Sequence, residues 1–366
     1  MKIVHVHPSS QMASIFVVPL TESELRHGYE TKIITFDVLK KFRNQIALLE
    51  HPNSNSIIFY PWRIYRLFST LRRYRPDMLV SHNSVASCVP LLIAKILRVR
   101  KKIYFNHGVP SVAYTGLVGW VLRIIEKVNC ALADNIITVS RDMKDILDRD
   151  FLHKSPSAQI IGAGSACGVD LELMGRVRSR RDKFRATLGF DPNDFVIAYV
   201  GRPKKRKGFN LLLEIWQKFV DRREGHKLLL VGSSRMNIDK VYQGSLKDVL
   251  ATGFVDNPLD YIVASDVLVL PSAHEGLSYV CLESLAVGTP VVASDIPGVR
   301  ALISHGESGL LVQKLNAEDF FASIEQIREN PLLADKLRRA GFEVAKKYDR
   351  EKFVRDYVNF IEANLQ

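Results

Sequence analysis

Two doubly wound α/β domains are the expected architecture, and three observations carry that expectation. Short β-branched runs alternate with helical or polar segments, the series stops and restarts once, and a polar, basic stretch lies between the two series. A length of 366 residues with 47% apolar residues is enough to give each domain its own core.

The first series runs through residues 2–7, 31–36, 78–81, 103–106, 135–140 and 159–161. The second runs through 195–200, 227–231, 249–254, 266–270, 291–293 and 309–312. Each alternation reads as a parallel sheet with crossover helices. The segment 175–183 is polar, basic and poor in apolar residues, so it is the expected hinge; domains of 1–174 and 175–345 follow. The last stretch, from 334 onward, is helix-rich, with Phe353, Tyr357 and Phe360 at helical spacing.

Composition excludes several classes. Cys88, Cys130, Cys167 and Cys281 are widely spaced without a C-x-x-C, so neither a zinc site nor a disulfide framework is expected, and a reducing cytosol fits. The first seven residues have the form of an opening strand, unlike a signal peptide, and no apolar run reaches the ~18 residues of a membrane span. The net charge is +12, and residues 1–170 hold 22 Lys and Arg against 13 Asp and Glu, while the remainder holds 29 against 26. This basic N-terminal half suits an anionic lipid or a phosphorylated substrate; no nucleic-acid-binding motif accompanies it, so no nucleic-acid partner is expected. Gly162, Gly164 and Gly168 form G-x-G-x-x-x-G, one residue too long for a dinucleotide fingerprint and placed after the last strand of its series instead of the first. No Walker A sequence occurs.

The most informative stretch is 253–312. Its strand 266–270 ends at Pro271, Glu275-Gly276 makes a turn, and Val280, Leu282, Leu285 and Ala286 begin a helical stripe. Glu275 and Glu283, separated by seven residues, are therefore expected at the C-terminal edge of a parallel sheet, where open α/β sheets bind ligands. Glu283 can accept both ribose hydroxyl protons, and the N–H groups of Gly276, Leu277 and Ser278 can face phosphates; the competing reading is that the acids merely complement the helix dipole. In the loop 200–208, Arg202 and Lys207 can converge on a diphosphate, with Lys204, Lys205 and Arg206 as solvated surface. Gly253-Phe254-Val255 ends another strand at the same edge.

In the first half, Pro8-Ser9-Ser10-Gln11 follows the first strand; small Ser9 and Ser10 can bring backbone amides close to a ligand, or make an ordinary loop. His107-Gly108 follows the strand 103–106. Two stretches are candidates for membrane contact. Residues 62–75 place Ile64, Leu67, Phe68 and Leu71 on one helical face flanked by arginines, which fits a membrane-surface helix or equally a crossover helix packed on its own sheet, and 114–125, with Trp120 and Arg123, is a second apolar stretch read as partly core.

The block 253–312, with its E-x7-E pair, resembles the donor-binding half of the retaining glycosyltransferases with two Rossmann-like domains, the GT-B fold, and in particular family GT4. The resemblance implies domains facing a cleft, with a final helix over 346–366 crossing back to the first domain. It implies that Arg202 and Lys207 hold the donor diphosphate, Glu283 the ribose, Glu275 and the following amides the sugar, Phe254 and Val255 the base by backbone groups, and His107 the cleft wall near the reacting carbon. Gly168-Val169-Asp170 resembles the family's passage out of the first domain, whereas Pro8-Ser9-Ser10-Gln11 departs from the family's glycine-rich loop. The implied activity is transfer of a sugar from a nucleotide diphosphate sugar, a UDP-sugar by preference, to a saccharide acceptor, lipid-linked as in bacterial surface polysaccharide or O-antigen synthesis. No cofactor and no metal are expected, and the implied location is cytosolic, peripheral on the cytoplasmic membrane face. A nucleotide-sugar epimerase of the same shape and a noncatalytic binder of sugar nucleotides or anionic lipid are the alternatives.

Overall fold

The computed structural model describes residues 1–37, 46–48, 61–152, 157–222, 225–313 and 315–364. It divides into two compact units, one of Met1–Gly168 with the final helix Arg350–Ala363, the other Val169–Asp349.

The first unit is built on a parallel sheet of β1 (Lys2–His7), β2 (Glu30–Thr35), β3 (Ile46–Leu48), β4 (Met78–His82), β5 (Lys101–Asn106), β6 (Asn135–Thr138) and β7 (Gln159–Ile160). The order is β3-β2-β1-β4-β5-β6-β7, so the winding reverses between β1 and β4. The second unit repeats the plan with β8 (Phe195–Val200), β9 (His226–Val231), β10 (Val249–Gly253), β11 (Val267–Leu270), β12 (Val291–Ser294) and β13 (Leu310–Val312), ordered β10-β9-β8-β11-β12-β13 and reversing between β8 and β11. All pairings are parallel, so every strand of a unit delivers its carboxyl end to one edge. Strand β3, three residues long, is absent from the sequence expectation because so short a run shows no period.

Side chains alternate strictly through the second sheet. Ile197, Tyr199, Val267 and Val269 pack with Phe209, Trp216 and Phe320 on one face, while Ala198, Leu268, Leu270 and Ala293 pack with Ile262, Leu282 and Leu285 on the other. Helices thus cover both faces, which is why the strands read as continuous apolar runs.

The segment expected to be a hinge at 175 is helical and belongs to the second unit. Val169 donates its N–H to Tyr348 and pairs with Asp349, so the unit begins there. The basic residues that looked like a linker are docking groups: in the helix Arg181–Thr187, Arg181 and Arg185 reach Asp266 at 2.6 and 3.0 Å, and Arg185 also donates to the carbonyls of Ala264 and Asp194.

The helix Pro61–Tyr74 takes the second of its two readings, a packed crossover helix. Leu67 and Leu71 are 1% exposed, Arg63 is buried too, and Ile64 and Phe68 are half-covered, so the apolar face proposed for lipid contact is spent on the protein's own core. The final helix buries Phe353, Val354, Tyr357, Val358 and Ile361 in the first unit, against the helix Val18–Arg26.

Asp266 accepts from Arg181, Arg185 and the Val196 N–H. Asp266→Ala strands the buried Arg185 charge, and the unfolding free energy measured in urea is expected to fall by about 3–5 kcal/mol; a loss below about 1 kcal/mol would refute this role for the pair.

Candidate active site

In the second unit, the loops leaving β8, β11 and β12 meet at the carboxyl edge. The close approach is dictated by two glycines. Gly208, at φ 70°, stands where a Cβ would lie 1.9 Å from the Pro271 carbonyl oxygen, and Gly298, at φ 81°, where it would lie 2.4 Å from that of Gly276. Only glycine tolerates both the left-handed backbone and the contact. Arg206, read from sequence as solvated, donates to the His274 carbonyl at 2.9 Å while its own carbonyl accepts from Ala273, so it clamps the loop that carries Glu275.

Lys207 is held by Glu275: Nζ lies 2.7 and 2.9 Å from its two carboxylate oxygens. The sequence reading gave these residues separate tasks, diphosphate for Lys207 and sugar for Glu275; in the structure they form one part-buried ion pair. Arg202 is exposed, and its carbonyl accepts from Tyr199 Oη at 3.0 Å, fixing the start of the loop. His274, unremarked in the sequence, is 7% exposed, and burial, then the cations of Arg206 and Lys207, lower its pKa.

The helix Tyr279–Val287 begins past the Glu275-Gly276 turn, and Glu283 is half-buried on it. Of the three amides expected to face phosphate, that of Ser278 is taken: it donates to the Gly298 carbonyl at 3.3 Å. Gly276 and Leu277 are half-buried at the turn. The hydroxyls of Ser272 and Ser278 are buried without a hydrogen-bond partner, two orphaned polar atoms flanking Glu275 in sequence. Phe254 is 69% exposed at the end of β10, whereas Val255 packs on Val196, Leu229 and Val231, leaving only its backbone for a ligand. A concavity of about 730 Å³ lies elsewhere in this unit, around Arg178, Gly288 and Phe342 at the far end of the same helix, where Arg178 donates to the Ala286 carbonyl.

In the first unit, His107 follows β5 and is one end of a chain of imidazoles the sequence reading missed. His107 Nε2 lies 3.1 Å from His82 Nδ1, His82 Nε2 lies 2.9 Å from His5 Nδ1, and His5 Nε2 lies 2.9 Å from Glu24 Oε1. Glu24 is fully buried, and its two oxygens accept from Tyr357 Oη at 3.0 Å and Thr31 Oγ1 at 2.7 Å. For neutral imidazoles the run of donors is His5 to Glu24, His82 to His5 and His107 to His82, which leaves Nδ1 of His107 as an acceptor. Burial, and then His7, push the His107 imidazole down to about 3, which keeps it neutral. Beneath it, Asn106 donates to Tyr104 Oη and Glu126, both at 2.8 Å, and accepts from the Gly108 N–H at 2.8 Å, pinning the loop that carries His107.

Ser9 and Ser10 do not form the expected amide cradle. The Ser10 N–H donates to the Asp37 carboxylate, Ser9 O accepts from His7 Nδ1 at 2.8 Å, and an acid so placed repels phosphate. The Asp-x-Asp triplet Asp148-Arg149-Asp150 ends the helix Arg141–Asp150, where Asp148 accepts from Lys144, Ser157 and the Ala158 N–H, and Asp150 from Arg149. It is consumed locally.

Residues 14–161 match the family described as Glycosyltransferase Family 4, and residues 180–344 match Glycosyl transferases group 1. The chain is 24% identical over 337 residues to the capsular polysaccharide biosynthesis glycosyltransferase CapM of Staphylococcus aureus, covering 88% of each protein. Among solved structures, sucrose-phosphate synthase of Thermosynechococcus elongatus superposes with a TM-score of 0.81 at 19% identity, over 100% of this chain and 99% of that one. Anabaena HepE in complex with UDP and glucose superposes with a TM-score of 0.79 at 20% identity, over 99% of both chains. At that identity the structures speak for the fold, the two parallel-sheet units of GT-B; with the two family matches, one on each unit, they place the chain among the GT4-like glycosyltransferases.

Proposed function

We propose that the protein is a retaining glycosyltransferase that moves a sugar from a UDP-sugar to a hydroxyl of a lipid-linked saccharide in surface polysaccharide synthesis. The observation that carries this reading is the Lys207–Glu275 pair at the carboxyl edge of the second sheet, beside exposed Arg202 and next to the helix bearing Glu283. It supplies a cation for a diphosphate and a carboxylate for sugar hydroxyls, held ready against one another. The CapM relative, named for capsular polysaccharide biosynthesis, and the HepE complex with UDP and glucose support the acceptor and donor classes.

In the proposed reaction the bond from the anomeric carbon to the diphosphate oxygen breaks, and its electrons stay on the diphosphate. The acceptor oxygen bonds to the same face of that carbon, and the leaving phosphate oxygen takes the acceptor proton, so no protein nucleophile is required. Arg202 and Lys207 offset the charge that grows on the diphosphate, and no divalent ion or cofactor enters the scheme. Glu275, once Lys207 turns to phosphate, accepts from sugar hydroxyls, as does Nδ1 of His107; Glu283 holds the ribose.

Lys207→Ala and Arg202→Ala are each expected to lower turnover by roughly tenfold to a hundredfold, from loss of a charge-assisted contact of about 1.5–3 kcal/mol. Parent rates in both variants would exclude the assigned site, and conversion of donor alone to an isomeric nucleotide sugar would identify an epimerase instead.

Calorimetric titration separates the glutamates. Glu283→Ala is expected to weaken UDP binding at least about tenfold, the loss of a charged hydrogen bond, while Glu275→Ala leaves UDP affinity near parent and impairs transfer. Equal UDP affinity in the parent and Glu283→Ala would remove the ribose role.

The imidazole chain gives a further test. His82→Leu severs His107 from Glu24 and is expected to lower kcat by roughly tenfold or more with a smaller change in KM, since it frees the tautomer of His107. Burial also lowers His7 to about 4, opposed by Ser9 and Asp37. Because the folded pKa values of His7 and His107 lie below the unfolded 6.5, the unfolded chain binds more protons as pH falls. Stability is therefore full above pH 6.5 and declines toward pH 4, by about 6 kcal/mol from the two groups together, a decline that His7→Asn should reduce.

A further inference from the structure

The helix Tyr279–Val287 runs from the Glu275-Gly276 turn down to Gly288 and Thr289, just ahead of β12, so the groove at its far end lies at the amino edge of the second sheet. About 13 Å of helix separates that groove from the edge that carries Lys207 and Glu275. Its volume of about 730 Å³ falls in the range of sites that take small organic ligands. The helices Leu259–Ala264, Tyr279–Val287 and Pro331–Lys346 give it an apolar floor, in which Val263 and Val287 are buried and Ala340 and Phe342 half-buried.

The charged residues lining this groove are Arg178, Arg181, Arg338 and Arg339 against a single acid, Glu343, and Glu343 is already neutralised by Lys346 at 2.6 Å. Arg181 is bound to Asp266, and Arg338 to Asp335 at 2.8 Å. Among the described residues, Arg178 and Arg339, both exposed, pair with no acid. Arg178 is nevertheless held in place, since it donates to the Ala286 carbonyl at 2.8 Å and its guanidinium lies 4.3 Å from the centre of the Phe342 ring. Burial, and then the cations of Arg185 and Arg338 against the pull of Asp266, lower the Arg181 pKa, which reports how closely positive charge is crowded here. The helix dipole is negative at this end, yet its last carbonyls are occupied: Arg178 covers Ala286, and Leu285 and Ser284 accept from the N–H groups of Gly288 and Thr289.

We propose that this groove is a second ligand site, for a nucleoside phosphate whose base rests on the apolar floor and whose phosphate meets the guanidinium groups of Arg178 and Arg339. Guanidinium N–H pairs match phosphate oxygens, and the plane of Arg178 can stack on a base as it does on Phe342. A bare phosphate would leave the floor to water. A sugar phosphate would set its hydroxyls against valine and phenylalanine without hydrogen-bond partners, whereas the planar faces of a base lose little there. A second copy of the chain, docking symmetrically, would set four arginines against their own kind. The groove takes no part in the proposed sugar transfer, so the two readings stand or fall separately.

The test is calorimetric titration of the full chain with AMP while UDP is held in excess to occupy the opposite edge, with urea unfolding of each variant as the check on folding. Saturable binding with a Kd below about 1 mM is expected, and inorganic phosphate and glucose 6-phosphate are each expected to bind at least about tenfold more weakly. Arg178→Gln with Arg339→Gln is expected to weaken AMP binding at least about tenfold, through loss of charge-assisted contacts. Ala340→Phe fills the groove, leaves every charge in place and is expected to weaken AMP binding by a similar factor of about ten. Arg202→Ala with Lys207→Ala at the other edge is expected to leave it within about twofold, as is Arg72→Gln with Arg98→Gln in an arginine-lined hollow of the first unit. The proposal is overturned if AMP shows no saturable binding at that level, if inorganic phosphate or glucose 6-phosphate binds as tightly as AMP, or if both groove variants bind AMP like the parent. It is also overturned if the loss is confined to Arg202→Ala with Lys207→Ala, or if the parent is a dimer that Ala340→Phe converts to monomer with no AMP binding in either. AMP binding in a chain that ignores UDP and transfers no sugar would support the groove while removing the proposed enzymatic reading.

Discussion

Wholly parallel pairing is the constraint from which the rest of each unit follows. Parallel strands need a crossover after every strand, the crossovers cover both sheet faces, and the strands between them become apolar on both sides. What remains for polar chemistry is the edge where the strands end. There β8, β11 and β12 release the loops carrying Arg202, Lys207, Glu275 and Gly298, and β1, β4 and β5 bring His7, His82 and His107 together. The loops can lie against one another because Gly208 and Gly298 occupy places where any side chain would strike a carbonyl.

The two edges handle charge in different ways. In the second unit Lys207 and Glu275 neutralise each other at 2.7 Å, so the edge carries a cation and an acid at a low desolvation cost. In the first unit a buried carboxylate, Glu24, anchors one end of a chain of imidazoles, of which burial keeps His82 and His107 neutral. The final helix contributes Tyr357 to the same carboxylate, so a residue near the end of the chain helps orient a histidine near position 107. Such supporting hydrogen bonds hold a reactive group in one tautomer and one position.

Much of this was legible beforehand. The strand series of both units and the Glu275–Glu283 spacing come from local pattern, and local pattern survives folding because period and turn chemistry are properties of neighbours in the chain. The errors have equally physical causes. Residues 175–183 read as a linker because arginine is polar, yet Arg181 and Arg185 are bound to an aspartate some eighty positions on. Arg206 read as surface because its partner, the His274 carbonyl, is a backbone atom and leaves no mark in composition. Ser10 and Ser278 were credited with spare amides that Asp37 and Gly298 consume.

The two amphipathic candidates show the same division most clearly. Helical periodicity alone finds an apolar side on both 62–75 and 114–125, and charge alone marks the N-terminal half as basic. Which apolar side is hidden depends on what the helix packs against. Leu67 and Leu71 meet the core, while Glu126 and Asn129 find buried partners in Ser84, Tyr104 and Asn106 and so turn Trp120 outward. In the same way His5, His82 and Glu24 are ordinary residues in three separate stretches until β1 is paired with β4 and the helix Val18–Arg26 is laid beside them. The sequence by itself determined the strand series apart from β3, and the parallel class, because these rest on short-range order. The tertiary structure alone decided which charges are already paired, which tautomer His107 holds and which helix face stays uncovered, because each of those is a balance between groups far apart in the chain and the water they displace.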